Sequence, residues 1–599
     1  MNLISTFTTM RKELIIAAIA LTSTFYSQKN TWQQEVNYAI TANLDDQKGV
    51  VHGEETIEYT NNSKDSLSEI YLHLYWNAFK KGSHAFNVLD KDQAEMTQSD
   101  FGSIEIESIK INGEIYSLEV FESIGKIKLK KTIAPAEKTQ LIIKFSSNIP
   151  ACINRAGKDN SSGTDFTLTQ WYPKICRYDS QGWHTDPYFG REFAGTFGKY
   201  NVSISCNKRF VIAGTGLLSN KSYTTNGWTD KQNITQQGEI TEWKFVAENV
   251  HDFAWAAETE WIHNSIRIDQ IDFHFFYHQE YKMQWENLMA NWKKAYAICK
   301  EEFGEYPYPQ FSFIQAGEGY MEYPNCTMLE GSRMDFFNTA CHEFMHNYFY
   351  GMYGSDENLH HWMDEGVTCY AEARISQLEG ENKNYLSEAM SSYNWVRMMY
   401  PEEPISTAAN HFDHDYAYYN AAYYKGQLFP ELIRYMIGDK NMKKGFHRYY
   451  ANWKFKHPEP NDFVKTFEDV SQMELTWFQN YWLNTTKTID FGIDSVKKSK
   501  NALSFTITRE GVPLPVEFSV ELKDGTINYY YIPLDLNNNV KTDFYRTTQS
   551  LSKWSCGEPN YSISLPGISI KEVLKITLDP DGFLPDVFME NNSWPIEKE

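Results

Sequence analysis

Two histidines and a glutamate are spaced in this chain so that they can share one metal ion. His342 and His346 stand four apart with Glu343 beside the first, and Glu365 follows nineteen positions after His346. On a helix, residues four apart project from one face, so both imidazoles reach the same point. Two neutral imidazoles and one carboxylate leave a net positive centre with a fourth position for water. That is the composition of a catalytic zinc site, whereas structural sites are closed by four protein ligands. Glu343 is placed to accept a proton from that water. The flanking run, Phe336 and Phe337 through Tyr348 and Phe349, is apolar enough for a buried helix, and burial tightens the metal's hold on charge. His360 and His361 also lie near Glu365, but three protein ligands already complete a catalytic set.

These residues need a helical frame. Trp285, Leu288, Met289, Trp292, Tyr296 and Ile298 recur at helical spacing over 282–302, and similar patterns cover 333–352, 362–379, 384–399, 416–437 and 462–470. Ahead of this block the chain reads as strands. Tyr200 to Ile204 alternates, Val211 to Gly216 ends in a turn, and clusters such as Asn61-Asn62-Ser63 punctuate the runs. After residue 488, Val516, Phe518, Val520 and Leu522 alternate with Glu517, Ser519 and Glu521. Asp524-Gly525 then turns the chain into Ile527, Tyr529 and Tyr531. The expected architecture is multidomain α+β. An N-terminal β saddle or sandwich spans 28–258, a mainly α catalytic domain 259–487, and a small C-terminal β-sandwich 488–599.

Composition sets the surroundings. Of the 599 residues 42% are hydrophobic and 16% aromatic, as in a globular protein. The formal net charge of −22 disfavours nucleic acid and anionic membranes as partners. Arg11 and Lys12 precede an apolar run from Leu14 to Leu21 and then small polar residues. This reads as a signal peptide over 1–27, cut near Ser27–Gln28, and implies export to the periplasm or exterior. The run is too short to span a bilayer, so no transmembrane segment is expected after its removal. None of the eight cysteines forms a C-x-x-C pair, which argues against a zinc–thiolate site.

Three segments together resemble the zinc aminopeptidase family of aminopeptidase N. The first is His342 to Asn347 with Glu365 in Trp362-Met363-Asp364-Glu365-Gly366; the family usually has Asn where this chain has Asp364. The second, Gly319-Tyr320-Met321-Glu322, resembles the family's G-x-M-E exopeptidase motif. The third, Tyr423-Tyr424-Lys425-Gly426, resembles its Y-E-K-G segment, with Tyr424 in place of the glutamate. The resemblance is densest over 315–430, and the long C-terminal helical domain of many relatives is missing. It implies a thermolysin-like catalytic domain holding one zinc ion, and peptide substrates with a free N-terminus. It also implies that Glu322 binds the substrate ammonium, beside Gly319, Tyr320 and Met321, and that Tyr423 stabilises the oxyanion.

Supporting positions follow from the same comparison. Gln170 resembles a family glutamine near the substrate N-terminus, while Tyr172 stands where many members carry an acid or amide. Glu318 is a candidate to substitute for it. Glu372, seven after Glu365, is either a solvated helix residue or an acceptor that orients a ligand imidazole. Asn347 is expected to support the ligands from behind. The expected function is therefore a zinc-dependent aminopeptidase. The alternatives are a thermolysin-like endopeptidase, which the Gly319–Glu322 segment disfavours, and a non-enzymatic binding protein on a peptidase fold.

Overall fold

The computed structural model describes residues 32–89, 100–151, 155–220, 239–317, 319–333, 335–380, 385–497 and 502–595. The segment read as a signal peptide lies outside the described residues, as do Cys152 and Glu318. Strands dominate as far as Glu258. In Glu35–Asp45, Val36, Tyr38, Ile40, Ala42 and Leu44 are buried at every second position, the period that points side chains to alternate faces. This strand lies inside an eight-stranded sheet, antiparallel to Val50–Thr60 and parallel to Gly198–Asn207. Tyr38 stands opposite Tyr200 in that register, and their rings stack 4.6 Å apart.

A five-stranded sheet then runs in spatial order Ile262–Ile268, Ile271–Tyr277, Gln310–Gln315, Cys326–Leu329, Met321–Tyr323. The middle three strands are parallel, and Gln310–Gln315 is buried along its whole length, as befits a parallel strand covered on both faces. The edge strand Met321–Tyr323 turns back antiparallel and sets Glu322 opposite Thr327.

Helices follow: α1 (Lys282–Phe303), α2 (Phe336–Phe349), α3 (Glu357–Glu379), α4 (Tyr385–Met399), α5 (Asp415–Tyr419) and α6 (Lys425–Ile437). α3 starts earlier than its periodicity suggests, because the chain kinks inside it at His360 (φ −138°, ψ 44°). The single helix read over 416–437 is α5 and α6 joined by a π-helical turn, Asn420–Tyr424. Such turns concentrate at functional sites. Two contacts aim these helices. Phe344 of α2 sits among Trp292, Phe311 and Tyr306, with ring centroids 5.0, 5.0 and 5.3 Å away; this pins one face of α2 in the core and leaves His342 and His346 on the other. Gly366 of α3 meets Gly426 of α6, and a Cβ added at Gly366 would lie 2.6 Å from the Gly426 carbonyl carbon. That close approach brings Glu365 and Tyr423 together.

Strands resume at Ile489, in a three-stranded and a five-stranded sheet that meet through Phe505 and Phe518 at 5.6 Å. Val516–Leu522 and Ile527–Ile532 form the expected hairpin around Gly525, which has φ +88°. The alternation there suggests a wet outer face, yet Glu517 and Ser519 are buried. The Tyr435 hydroxyl of α6 bonds the backbone at Pro515 and Glu517, and Lys541 reaches Glu517 at 2.8 Å, so the helical block covers that face. Among the described residues no two cysteines are joined in a disulfide. No helix among the described residues is long and apolar enough to cross a membrane.

Candidate active site

Helix α2 presents His342 and His346 to a cavity of about 590 Å³, and α3 returns Glu365 to the same point. The two Nε2 atoms face each other at 3.0 Å, and Glu365 Oε2 lies 3.6 Å from the first and 3.3 Å from the second. Three ligand atoms around a tetrahedral ion, each about 2.0–2.1 Å from it, stand about 3.3 Å apart. The observed triangle therefore has the size a zinc ion needs. The Nδ1 side of each ring is held separately. His342 Nδ1 lies 3.1 Å from Glu372 Oε2, and His346 Nδ1 lies 2.6 Å from Asp364 Oδ1. A carboxylate on Nδ1 draws the ring proton there and turns the Nε2 lone pair to the shared point. Glu365 Oε2 is buried with no hydrogen-bond partner, an orphan a cation would satisfy. The residues fit zinc.

A second triad, Glu322–His346–Asp364, is also compact. It offers a single imidazole, already bonded to one of its own carboxylates, and so makes the poorer ligand set. His361 is not drawn in either: its ring is buried, with Nε2 3.2 Å from the Thr407 carbonyl, and burial pulls its pKa down to about 4.

The other expected residues divide into those on the cavity wall and those behind it. Glu343 lines the cavity, and burial pushes its carboxyl up to about 7 against the pull of His346 and His342. Tyr423, in the π-helical turn, donates to Glu365 Oε1 at 2.6 Å; burial and that carboxylate hold its pKa well above 10, so the phenol keeps its proton. Glu322 lines the cavity with Tyr320 and Met321. It is only 3% exposed, its Oε1 has no partner, and burial drives its pKa well above the ordinary carboxylate range.

Gly319 stands behind the wall, where its N–H donates to Glu330 Oε1 at 3.0 Å, and Tyr320's hydroxyl bonds the same carboxylate. Glu372 lines the cavity at hydrogen-bond distance from His342. Asn347 is buried and turned to the backbone of the neighbouring strand. Its side chain accepts from the Asn325 N–H at 2.7 Å and donates to the Tyr323 carbonyl at 3.2 Å, tying α2 to the strand that carries Glu322. Gln170 is buried at φ +53° and is not among the side chains that line the cavity.

Sequence reasoning missed two cavity groups and one behind the wall. Glu192 lines the wall, accepts from the Tyr418 hydroxyl, and is pushed up to about 7 by burial and Glu365. Arg155 lines it too, with Nε and one terminal nitrogen buried and unpartnered. Neither sits in a motif, so spacing gave no signal for them. Asp364 was visible only as a departure from the Asn that relatives carry.

Residues 275–482 match the family model described as the peptidase family M1 domain. The chain carries an M1 domain. Within it fall the metal triad, Glu322, Glu343 and Tyr423, whereas Arg155 and Glu192 reach the cavity from the N-terminal β region. Among curated proteins, the chain is 24% identical over 202 residues to aminopeptidase N of Escherichia coli K12, covering 30% of this chain and 22% of that protein. It is also 24% identical over 181 residues to leucine aminopeptidase 2 of Chaetomium globosum, covering 28% and 29%. The matched segments thus span less than a third of either relative. Among solved structures, a mutant M1 zinc metallopeptidase of Deinococcus radiodurans bound to a Tyr-Ser-Ala substrate superposes with a TM-score of 0.54 at 14% identity, over 76% of this chain and 94% of that one. Legionella pneumophila aminopeptidase A, in complex with aspartic acid, gives 0.63 at 11%, over 94% and 60%. These likenesses establish that the fold around the M1 domain is shared.

Proposed function

We propose that this protein is a zinc-dependent aminopeptidase that removes the N-terminal residue of peptides at a single metal ion. The observation that carries the reading is Glu322. A buried carboxylate with an unpartnered oxygen stands on the cavity wall near the metal triad, where an arriving ammonium supplies its missing counter-charge. A fixed anion at that place selects a free terminus and sets the cut one residue in.

When bound at His342, His346 and Glu365, zinc supplies Lewis-acid polarisation and a water acidified toward neutral pH. Glu343, with a pKa raised to about 7, accepts the water's proton and then hands it to the leaving amine. Tyr423 transfers its O–H donation from Glu365 to the developing oxyanion. Asp364 and Glu372 hold the two rings in the tautomer that points Nε2 inward. The same reading assigns 28–258 as a β saddle or sandwich, 259–487 as a thermolysin-like catalytic domain, 488–599 as a β-sandwich, and residues 1–27 as an export signal. N-terminal sequencing of secreted protein checks the signal; a mature chain still beginning at Met1 would refute it.

The activity test is a matched pair of peptides, one with a free and one with an acetylated N-terminus, each with and without chelator. The free peptide is cut, the blocked one is not, and the chelator stops the reaction. Equal cleavage of both would make the protein an endopeptidase.

A further inference from the structure

Beside the catalytic cavity lies a second groove of about 330 Å³ whose walls include Trp395 and Val396 of α4, Tyr416 of α5, and Tyr419 and Tyr424. Tyr419 and Tyr424 also line the catalytic cavity, so the two spaces share a wall. In the π-helical turn both consecutive tyrosines line the catalytic cavity, Tyr423 bonding Glu365 while Tyr424 also extends to the groove. Among the described residues no charged side chain lines the groove. Tyr400 stacks on Tyr416 at 4.2 Å and 12°, and Trp395 stands edge-on to both at 6.0 and 6.3 Å.

Water still covers much of this surface. Trp395 is 48% exposed and Tyr416 46%, and Met398 and Met399 continue the patch at 70% and 61%. Contiguous exposed apolar side chains, as opposed to scattered ones, mark contact surfaces.

We propose that this groove receives an apolar or aromatic side chain of the substrate on the far side of the cut bond, so that the enzyme prefers peptides carrying such a residue downstream. The inference rests on the aminopeptidase reading. With the amine held at Glu322, the rest of a peptide must leave the cavity elsewhere, and Tyr419 and Tyr424, which line both spaces, set the groove next to the cavity. A groove of this size and lining accepts a phenyl ring and offers no counter-charge to an acidic or basic side chain.

The test is a peptide series with one phenylalanine moved through the second, third and fourth positions of an otherwise alanine and glycine chain. An alanyl amide, which has no downstream residue, serves as reference. At one position phenylalanine raises kcat/KM about ten-fold over alanine, mainly through KM. In Trp395→Ala and in Tyr416→Ala that preference falls to near one, while turnover of the alanyl amide is unchanged. Binding of the same peptides to Glu343→Gln protein, measured by calorimetry with and without Trp395→Ala, reads the groove independently of cleavage. Failure to cut the amide with position-dependent binding intact therefore sinks the activity and not the groove. A flat series, or a preference that survives both variants, overturns the proposal. So does a flat series accompanied by a dimer in sedimentation that Trp395→Ala dissolves, since a second copy of the chain would then be the occupant.

Discussion

Two buried clusters in this molecule set histidines among carboxylates, and they are built to opposite ends. His184 has a carboxylate on each side, Nε2 at 2.9 Å from Asp179 and Nδ1 at 2.7 Å from Asp356, with Arg177 alongside. Burial pulls its pKa down, but the two carboxylates outweigh burial and lift it to about 9. That ring is a cation closed on both nitrogens. His342 and His346 each have a bonded carboxylate on Nδ1, while their Nε2 atoms stand 3.0 Å apart and share the single oxygen Glu365 Oε2 at 3.6 and 3.3 Å. Two separate carboxylates close the one ring; the other two rings turn their Nε2 atoms to a point they share.

The comparison breaks most readily at the ligands. His346→Ala should remove the metal and lower activity by at least about 10⁴-fold, whereas His184→Gln should leave metal content and turnover as they are. Metal analysis beside a rate assay reads both. Next in size, Tyr423→Phe should cut kcat by about 10²–10³ with metal retained, because only the oxyanion donor is lost. Glu322→Gln should weaken selection of free termini by about 10–100-fold, seen as a narrowed ratio between free and acetylated peptides. Glu372→Gln should weaken zinc affinity by about 10-fold, read by competition with a chelating dye.

The smallest effect on catalysis and the sharpest contrast is the pH dependence at His184. Its folded pKa lies above its ordinary 6.5, so its contribution to stability is fully present below pH 6.5 and is lost as pH rises through about 9. The contribution reaches at most about 3.5 kcal/mol, since each tenfold gain in proton affinity on folding is worth about 1.4 kcal/mol. Urea unfolding of wild type and His184→Gln should differ at pH 6 and converge near pH 10. A constant difference would deny that the ring is charged.

How much of this was legible in the sequence depended on whether chemistry leaves a periodic trace. The helix carrying His342 and His346 could be read because its ligands sit at i and i+4 and its other face is aromatic. The alternation at Val516 likewise gave the hairpin, although not the cover over Glu517, which comes from Tyr435 some 80 residues away. Asp439–Trp453 escaped notice because its buried stripe is only Met442, Gly445, Phe446 and Tyr449 on an otherwise polar helix. The π-helical turn was invisible for a related reason, since one extra residue per turn shifts a periodic pattern without erasing it. Glu192 and Arg155 enter the cavity from loops of another region, and only tertiary packing brings them there.

The central claim is that His342, His346 and Glu365 form the seat of one catalytic zinc ion. Stripping the protein of metal and titrating zinc back, with calorimetry and peptidase rate followed together, addresses it most directly. Heat release and rate should saturate together at one ion per chain in wild type, and His346→Ala should show neither. Tight stoichiometric binding that persists in His346→Ala, or full activity in metal-free protein, would contradict it.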